Sequence, residues 1–378
     1  MALAVLVVAS SQAAQAQILI GQTSGFSGPV AAGVKETTAG AMLYLDRVNA
    51  KGGVGGQKIE IVTMDDKFEP PLAAENAREL IEKKNVVALF LNRGTPHTEA
   101  ILPLLEKHRV PLVAPSTGAM VLHQPVKKYV FNVRATYQRE AEKALVHQAS
   151  IGMTKIAVIY ADDSFGEDGL AGAQKGLQKA KLEAVGIHKF NRTKPDFAAI
   201  VPEVVKSGAQ SVLLVASGSH AVAAIKALRA AGSAAQFVTL SNNATAGFVA
   251  SLEGNARGVI VSQVFPQSQS YAVVKEMEDA ARAKGMTGTS PAMLEGFTAA
   301  KVLVEALRRT GGKPTREQLQ AALEGMDRYD LGGLELGYSP SDHTELDHAD
   351  PPIIGSANKF PRYPAPWPAL PSARQRPP

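Results

Sequence analysis

The chain alternates short apolar runs with amphipathic stretches of helical spacing, and it does so in two successive series. That alternation is its tightest constraint. Parallel strands need crossovers long enough to hold a helix, so the pattern builds parallel sheets covered by helices. In the first series, residues 18–23, 58–64, 86–91 and 110–114 read as strands, and residues 39–49, 72–84 and 98–107 as helices. Residues 52–56, with four glycines around Val54, read as a turn. In the second series, strands are expected at 155–160, 182–189, 211–216, 237–240 and 259–264. Helices are expected at 166–179, at 197–207 with Asp196 as N-cap, and in a segment ending at 231. Helices at 274–284, 292–310 and 316–323 follow, and residues 330–338 and 352–354 are expected as closing strands. At 378 residues, two such units are more natural than one. The fold class is therefore α/β, with two doubly wound, Rossmann-like lobes.

Composition removes several kinds of function. There is no cysteine, which excludes thiol catalysis, zinc–cysteine sites and disulfides. The net charge of +5 is spread without a basic block, which argues against a nucleic-acid partner. Residues 1–16 read as a signal peptide without the usual positive start, hence as a leader cut short. Its apolar run spans residues 3–9, and Ala14-Gln15-Ala16 places a cleavage site before Gln17. The expected location is the periplasm. From Pro361 onward the sequence is proline-rich, and residues 363–378 are expected to form a disordered tail.

Ligands of parallel sheets bind beyond the carboxyl ends of the strands. That rule points to residues 24–33, 92–98, 115–118 and 161–165. In residues 92–98, Pro96 suits a first helical turn, the free N–H groups of a helix start attract an anion, and Thr95 adds a hydroxyl. Pro115-Ser116-Thr117-Gly118 brings further hydroxyls and a glycine that permits close approach. Together the two loops make a carboxylate cradle, whereas either alone is ordinary helix capping.

Ser24-Gly25-Phe26-Ser27-Gly28-Pro29, Ala39-Gly40-Ala41, Val48-Asn49-Ala50-Lys51-Gly52-Gly53-Val54-Gly55-Gly56 and Asp65-Asp66 resemble the opening of the leucine/isoleucine/valine-binding proteins. These are type I periplasmic binding proteins of branched-chain amino-acid ABC transporters. Residues 110–117, 160–166 and 329–333 extend the resemblance over about residues 17–362. It implies two lobes joined by a three-stranded hinge, with crossovers near Val133, Val264 and Tyr338. Residues 17–133 plus 265–338 would form lobe 1, and residues 134–264 plus 339–362 lobe 2. It also implies a ligand between the lobes, an inner-membrane permease as partner, and no enzyme activity.

The resemblance assigns ligand contacts to Thr95, Ser116 and Gly118, with Thr117 between the last two. Phe165 takes the place of a lid tyrosine, and Ser217 and Ser241 lie in second-lobe loops. Gly33 replaces a bulky aromatic, which leaves room. Tyr137 is placed to enter the cleft, and Arg134 either to pair with an anion or to brace the hinge. Where amino-acid binders of the family carry an ammonium-pairing glutamate, this chain reads Thr239-Leu240-Ser241-Asn242-Asn243. A buried ammonium without a carboxylate partner is costly. The expected ligand is thus a small carboxylate without an α-amino group, an aromatic or aliphatic organic acid, unless Asp162 or Asp163 supplies the charge. A true leucine/isoleucine/valine binder and a periplasmic or regulatory sensor of the same fold are the alternatives.

Other chemistry finds little support. No GxGxxG follows the first strand, and there is no phosphate loop and no GxSxG elbow, so no cofactor is expected. Asp342, His343, Glu345, Asp347, His348 and Asp350 look metal-like but lack a helical frame, and read as a solvated connection.

Overall fold

The computed structural model describes residues 17–344 together with Leu346, His348, Ala349 and Ile354. The leader read into residues 1–16, the tail at 363–378, the acidic positions 345, 347 and 350, and the expected strand at 352–354 apart from Ile354 lie outside the described residues.

Two five-stranded sheets, each parallel throughout, carry the fold. The first contains β1 (Gln17–Ser24), β2 (Lys58–Asp65), β3 (Ala88–Phe90), β4 (Leu112–Val113) and β5 (Val130–Phe131), in the order β2-β1-β3-β4-β5. The second contains β6 (Ile156–Ala161), β7 (Ala184–Phe190), β8 (Ser211–Val215), β9 (Gln236–Thr239) and β10 (Ile260–Val261), in the order β10-β9-β8-β6-β7. The pattern of burial follows strand position. β6 and β8, inside the sheet and covered on both faces, are buried at every residue and read as continuous apolar runs. The edge strand β7 alternates between exposed and half-buried residues until its last position.

Helices α1 (Ala31–Ala50), α2 (Pro70–Glu82) and α3 (Thr95–His108) wind around the first sheet. Helices α4 (Tyr137–Ser150), α5 (Ser164–Ala180), α6 (Ile200–Lys206), α7 (Ser219–Ala230) and α8 (Ala246–Leu252) wind around the second. The chain then returns to the first lobe with α9 (Ala272–Ala283), α10 (Pro291–Arg309) and α11 (Arg316–Glu324). The apolar core changes lobe between Ala135 and Tyr137, and again between Val261 and Val264. Near these passages Phe131 meets the rings of Tyr338 and His343, and Tyr338 Oη donates to Asn132 O at 2.8 Å.

Several boundaries differ from the sequence reading, each for a local reason. α1 starts at Ala31 rather than 39, because its first turns bury the small residues Gly33 and Thr37 beside Val34 and show no large apolar period. α3 starts at Thr95 rather than 98. Asp196 is not a helix cap: it accepts the Ala198 N–H at 2.9 Å, and α6 begins four residues later, at Ile200. The expected strand at 330–338 is an antiparallel pair, β11 (Tyr329–Asp330) and β12 (Glu335–Leu336). Asp330 folds its turn by accepting the N–H groups of Gly332 and Gly333 at 2.8 and 2.7 Å.

α1 and α10 cross with their backbones in direct contact. A Cβ on Gly40 would lie 1.9 Å from Met293 O, and one on Gly296 would lie 1.8 Å from Thr37 O. Neither obstacle is a side chain that can turn away, so the helices would have to separate. Gly40→Ala or Gly296→Ala should cost about 1–3 kcal/mol, the range for overpacking a tight core. A drop in the urea midpoint of either variant, larger than that of Gly254→Ala, where nothing lies within 4 Å, is the expected result.

Candidate functional site

β3 and β4 leave the first sheet in the same way. Leu91 and Ala114, each just past its strand, have φ of 51° and 52°, a left-handed conformation that non-glycine residues adopt at a cost. Both are buried and turn their chains together, so the segments that follow stay paired. Ser116 N–H donates to Asn92 O at 2.8 Å, and Arg93 and Ser116 form an isolated parallel bridge. Just beyond this bridge, Thr95 Oγ1 and Thr117 Oγ1 lie 2.8 Å apart.

These loops face the second lobe across a narrow crevice. The first lobe contributes Phe68, Arg93, Gly94, Thr95, Pro96 and Ser116. The opposite side carries Tyr137, Asp163, Phe165, Phe190, Arg192, Ser217, His220 and Asn242. The lobes are closed on one another. Arg93 Nη2 donates to Asn242 O, and Arg192 Nη1 donates to Phe68 O at 3.2 Å. Ser164 donates to Glu99, and Ser219 N–H donates to Pro29 O at 3.1 Å. Glu36, on α1, accepts the Ala246 and Gly247 N–H groups that open α8 at 2.9 and 2.8 Å. A carboxylate suits that helix end.

The sequence-derived candidates divide into two groups. Thr95, Ser116, Phe165, Ser217 and Tyr137 come together on the crevice wall, with the Tyr137 and Phe165 rings edge to face at 5.0 Å. Thr117 stands behind Thr95 as its hydrogen-bond partner. Gly118 packs under the start of α4, where a Cβ would lie 2.5 Å from Ala135 O. Ser241 turns away from the crevice into a buried network, bonding Glu140 at 2.9 Å and Arg134. Gly33 lines a neighbouring crevice of about 580 Å³, on the other side of Arg93 and Asn242. The room it leaves is occupied by protein, since a Cβ there would lie 3.0 Å from Arg93 Nη1 and 3.2 Å from Thr245 Cγ2.

Sequence reasoning missed Arg93, Asn242, Phe68, Phe190, Arg192 and His220. All but His220 follow or end a strand, so the strand-end rule applied to every loop would have found five of them. Arg93 is buried, and among the described residues no carboxylate lies within ion-pair distance of it. Arg192 stacks over Phe68 at 5.4 Å and pairs with Asp163 at 2.9 Å. Asp163 also caps α5 through the Gly166 N–H, and Asp162 pairs with Lys189 at the surface. The one carboxylate on the crevice wall is thus already neutralised, and the guanidinium of Arg93 leaves the site positive.

Arg134 joins the lobes behind this wall. Its Nη2 donates to Glu140 at 2.7 Å, its Nη1 lies 3.5 Å from Glu295, and its guanidinium covers the Tyr137 ring at 4.8 Å. Burial alone would make its proton easier to lose, but Glu295, Tyr137 and Glu140 reverse this and bind the proton more firmly. Arg134 therefore pairs with a carboxylate from each lobe. His343, from the metal-like run, stacks on Phe131 at 4.2 Å and bonds Val130 O at 2.9 Å, a packing role.

A family model described as "Periplasmic binding protein" matches residues 17–349. The "Leu/Ile/Val-binding protein homolog 7" of Brucella abortus (strain 2308) is 27% identical over 350 residues, covering 87% of this chain and 86% of its own. A crystal structure of a substrate-binding periplasmic protein from Ralstonia solanacearum superimposes with a TM-score of 0.83 at 30% identity, covering 90% of this chain and 98% of that one. A possible leucine/isoleucine/valine-binding protein from Rhodopirellula baltica SH 1 gives 0.83 at 25% identity, over 91% and 95%.

His97, at the first turn of α3, stacks on Phe68 at 4.3 Å with no exposed surface. Burial, then the charges of Arg192 and Arg93, push its pKa down to about 4. Its folded value is below the unfolded one, so the stability of its neutral form is full above pH 6.5 and is lost as pH falls toward 4. His97→Asn cannot take up that proton. The melting temperature of wild type relative to this variant should therefore fall steadily from pH 6.5 to 4. A difference that does not change with pH would remove His97 as an acid-sensitive group.

Proposed function

The chain belongs to the periplasmic binding protein family, whose members bind substrates rather than transform them, and on that footing we propose that it captures a small carboxylate without an α-amino group. The ligand lies between the lobes, and the chain delivers it to an inner-membrane ABC permease from the periplasm. The observation that carries this reading is Arg93, buried on the crevice wall without a carboxylate partner, while Asp163 is held by Arg192. A ligand carboxylate completes Arg93 and takes a further hydrogen bond from Thr95. An ammonium would meet no free carboxylate there and would be repelled by Arg93. The rings of Phe68, Tyr137, Phe165 and Phe190 form the apolar part of the same wall, which favours an aromatic or branched aliphatic body.

The mechanism is closure. The hinge runs through the segments near Val133, Val264 and Tyr338, with residues 17–133 and 265–338 moving against residues 134–264. A ligand shifts the open–closed balance because it touches Thr95 and Ser116 on one side and Phe165 and Ser217 on the other only when the lobes meet. The names of the relatives support a second reading, a branched-chain amino-acid ligand.

A thermal-shift and calorimetric panel separates the two. Leucine, isoleucine and valine are set against aromatic and aliphatic carboxylic acids, since a ligand of the folded state raises the melting temperature. Acids without an amino group should stabilise the protein. Arg93→Gln should weaken them by roughly a hundredfold, in line with the loss of about 3 kcal/mol for truncating one partner of a buried charge pair. Stabilisation by the amino acids alone would defeat the proposal.

A further inference from the structure

The hydrogen-bond inventory of the crevice divides into groups that can give a proton and groups that can only receive one. Ser116 belongs to the second kind. Its Oγ donates its one proton to Glu295 Oε1 at 2.8 Å, and its backbone N–H is committed to Asn92 O. Glu295 lies on α10 with Arg134 beside it, and an ionised carboxylate accepts only. What Ser116 offers the crevice is the lone pairs of its hydroxyl, so it cannot serve a ligand carboxylate as a donor.

Asn242 behaves alike. Its Nδ2 donates to Ser217 Oγ at 2.8 Å and to Ala216 O at 3.3 Å. A carbonyl can only accept, so this fixes which end of the amide is oxygen. That oxygen is buried with no hydrogen-bond partner among the described residues. An unpaired buried acceptor is destabilising, and a ligand donor would satisfy it. The wall thus holds a guanidinium that calls for an anion and, on Ser116 Oγ and Asn242 Oδ1, acceptors open to a donor.

We infer that the ligand is a 2-hydroxy acid, its carboxylate on Arg93 and Thr95 and its 2-hydroxyl donating to Ser116. Arg93, Thr95 and Ser116 line one crevice, so a single small ligand can reach all three. The neutral hydroxyl is favoured over an ammonium by the unbalanced positive charge of Arg93. The inference rests on the carboxylate reading above and adds the second functional group.

Two sets of three compounds, each differing only at C2, test it on the full chain by calorimetry. The aromatic set is mandelate, phenylacetate and phenylglycine; the aliphatic set is 2-hydroxy-4-methylpentanoate, 4-methylpentanoate and leucine. The hydroxy acid should bind at least tenfold tighter than the unsubstituted acid of its set, about 1.4 kcal/mol, and the amino acid weakest. Ser116→Ala should collapse that ratio toward one, and Ser116→Thr, which keeps the hydroxyl, should retain it. Equal affinity for hydroxy and unsubstituted acids, in wild type and with no variant needed, overturns the hydroxyl assignment and leaves the carboxylate reading standing. A ratio that survives in Ser116→Ala overturns the role of Ser116. Binding of the amino acids alone, or of none of the six, overturns both readings.

Discussion

The guanidinium of Arg134 is the contact on which the rest of the molecule turns. It lies at the passage between lobes with Glu140 on one side, Glu295 on the other and the Tyr137 ring beneath. Glu140 gathers the second lobe by accepting from Ser241 N–H at 2.7 Å, Ser241 Oγ and Ser262 Oγ, while Glu295 holds Ser116 in the first. A buried ion network adds little net stability over an apolar core, but breaking one partner away is heavily penalised. Its consequence here is geometric: it ties Ser116, on the crevice wall, to both lobes through Glu295 and Arg134.

The site depends on the same economy of partners. Where a polar group is already served by protein, it cannot serve a ligand, and the pattern of remaining vacancies specifies the ligand more sharply than the list of lining residues. Asp163 looks like an ammonium partner until Arg192 is seen to hold it. Ser116 looks like a carboxylate donor until Glu295 is seen to take its proton. Among the described residues Arg93 remains as the buried charge without a carboxylate partner. Gly33 shows the same logic in steric form, since the space left by its missing side chain accommodates Arg93.

The α/β architecture, all five strands of the second sheet and four of the five in the first were legible in the sequence because they follow from periodicity; the two-residue β5, Val130–Phe131, is too short to show one. Parallel strands must be apolar, their crossovers must be amphipathic, and their carboxyl ends must carry the loops that bind. Even so, α1 was read eight residues short, because its first turns pack small residues that no hydrophobic period marks. Of the residues singled out from the sequence, Thr95, Ser116, Tyr137, Phe165 and Ser217 share one crevice wall, whereas Ser241 turns into the network of Arg134 and Glu140.

By itself the sequence determined the fold, the two-lobed family to which the chain belongs and the strand ends where its site would form. Each of these is written in local pattern, at separations of a few residues. The tertiary structure alone decided which polar groups are spent and which are free. Ser116 and Glu295 are 179 positions apart, Arg93 and Asn242 are 149 apart, and Arg134 and Ser241 are 107 apart. No periodicity connects such pairs. Only the packing of two lobes against one another brings them into contact, and the meaning of each polar side chain depends on that contact.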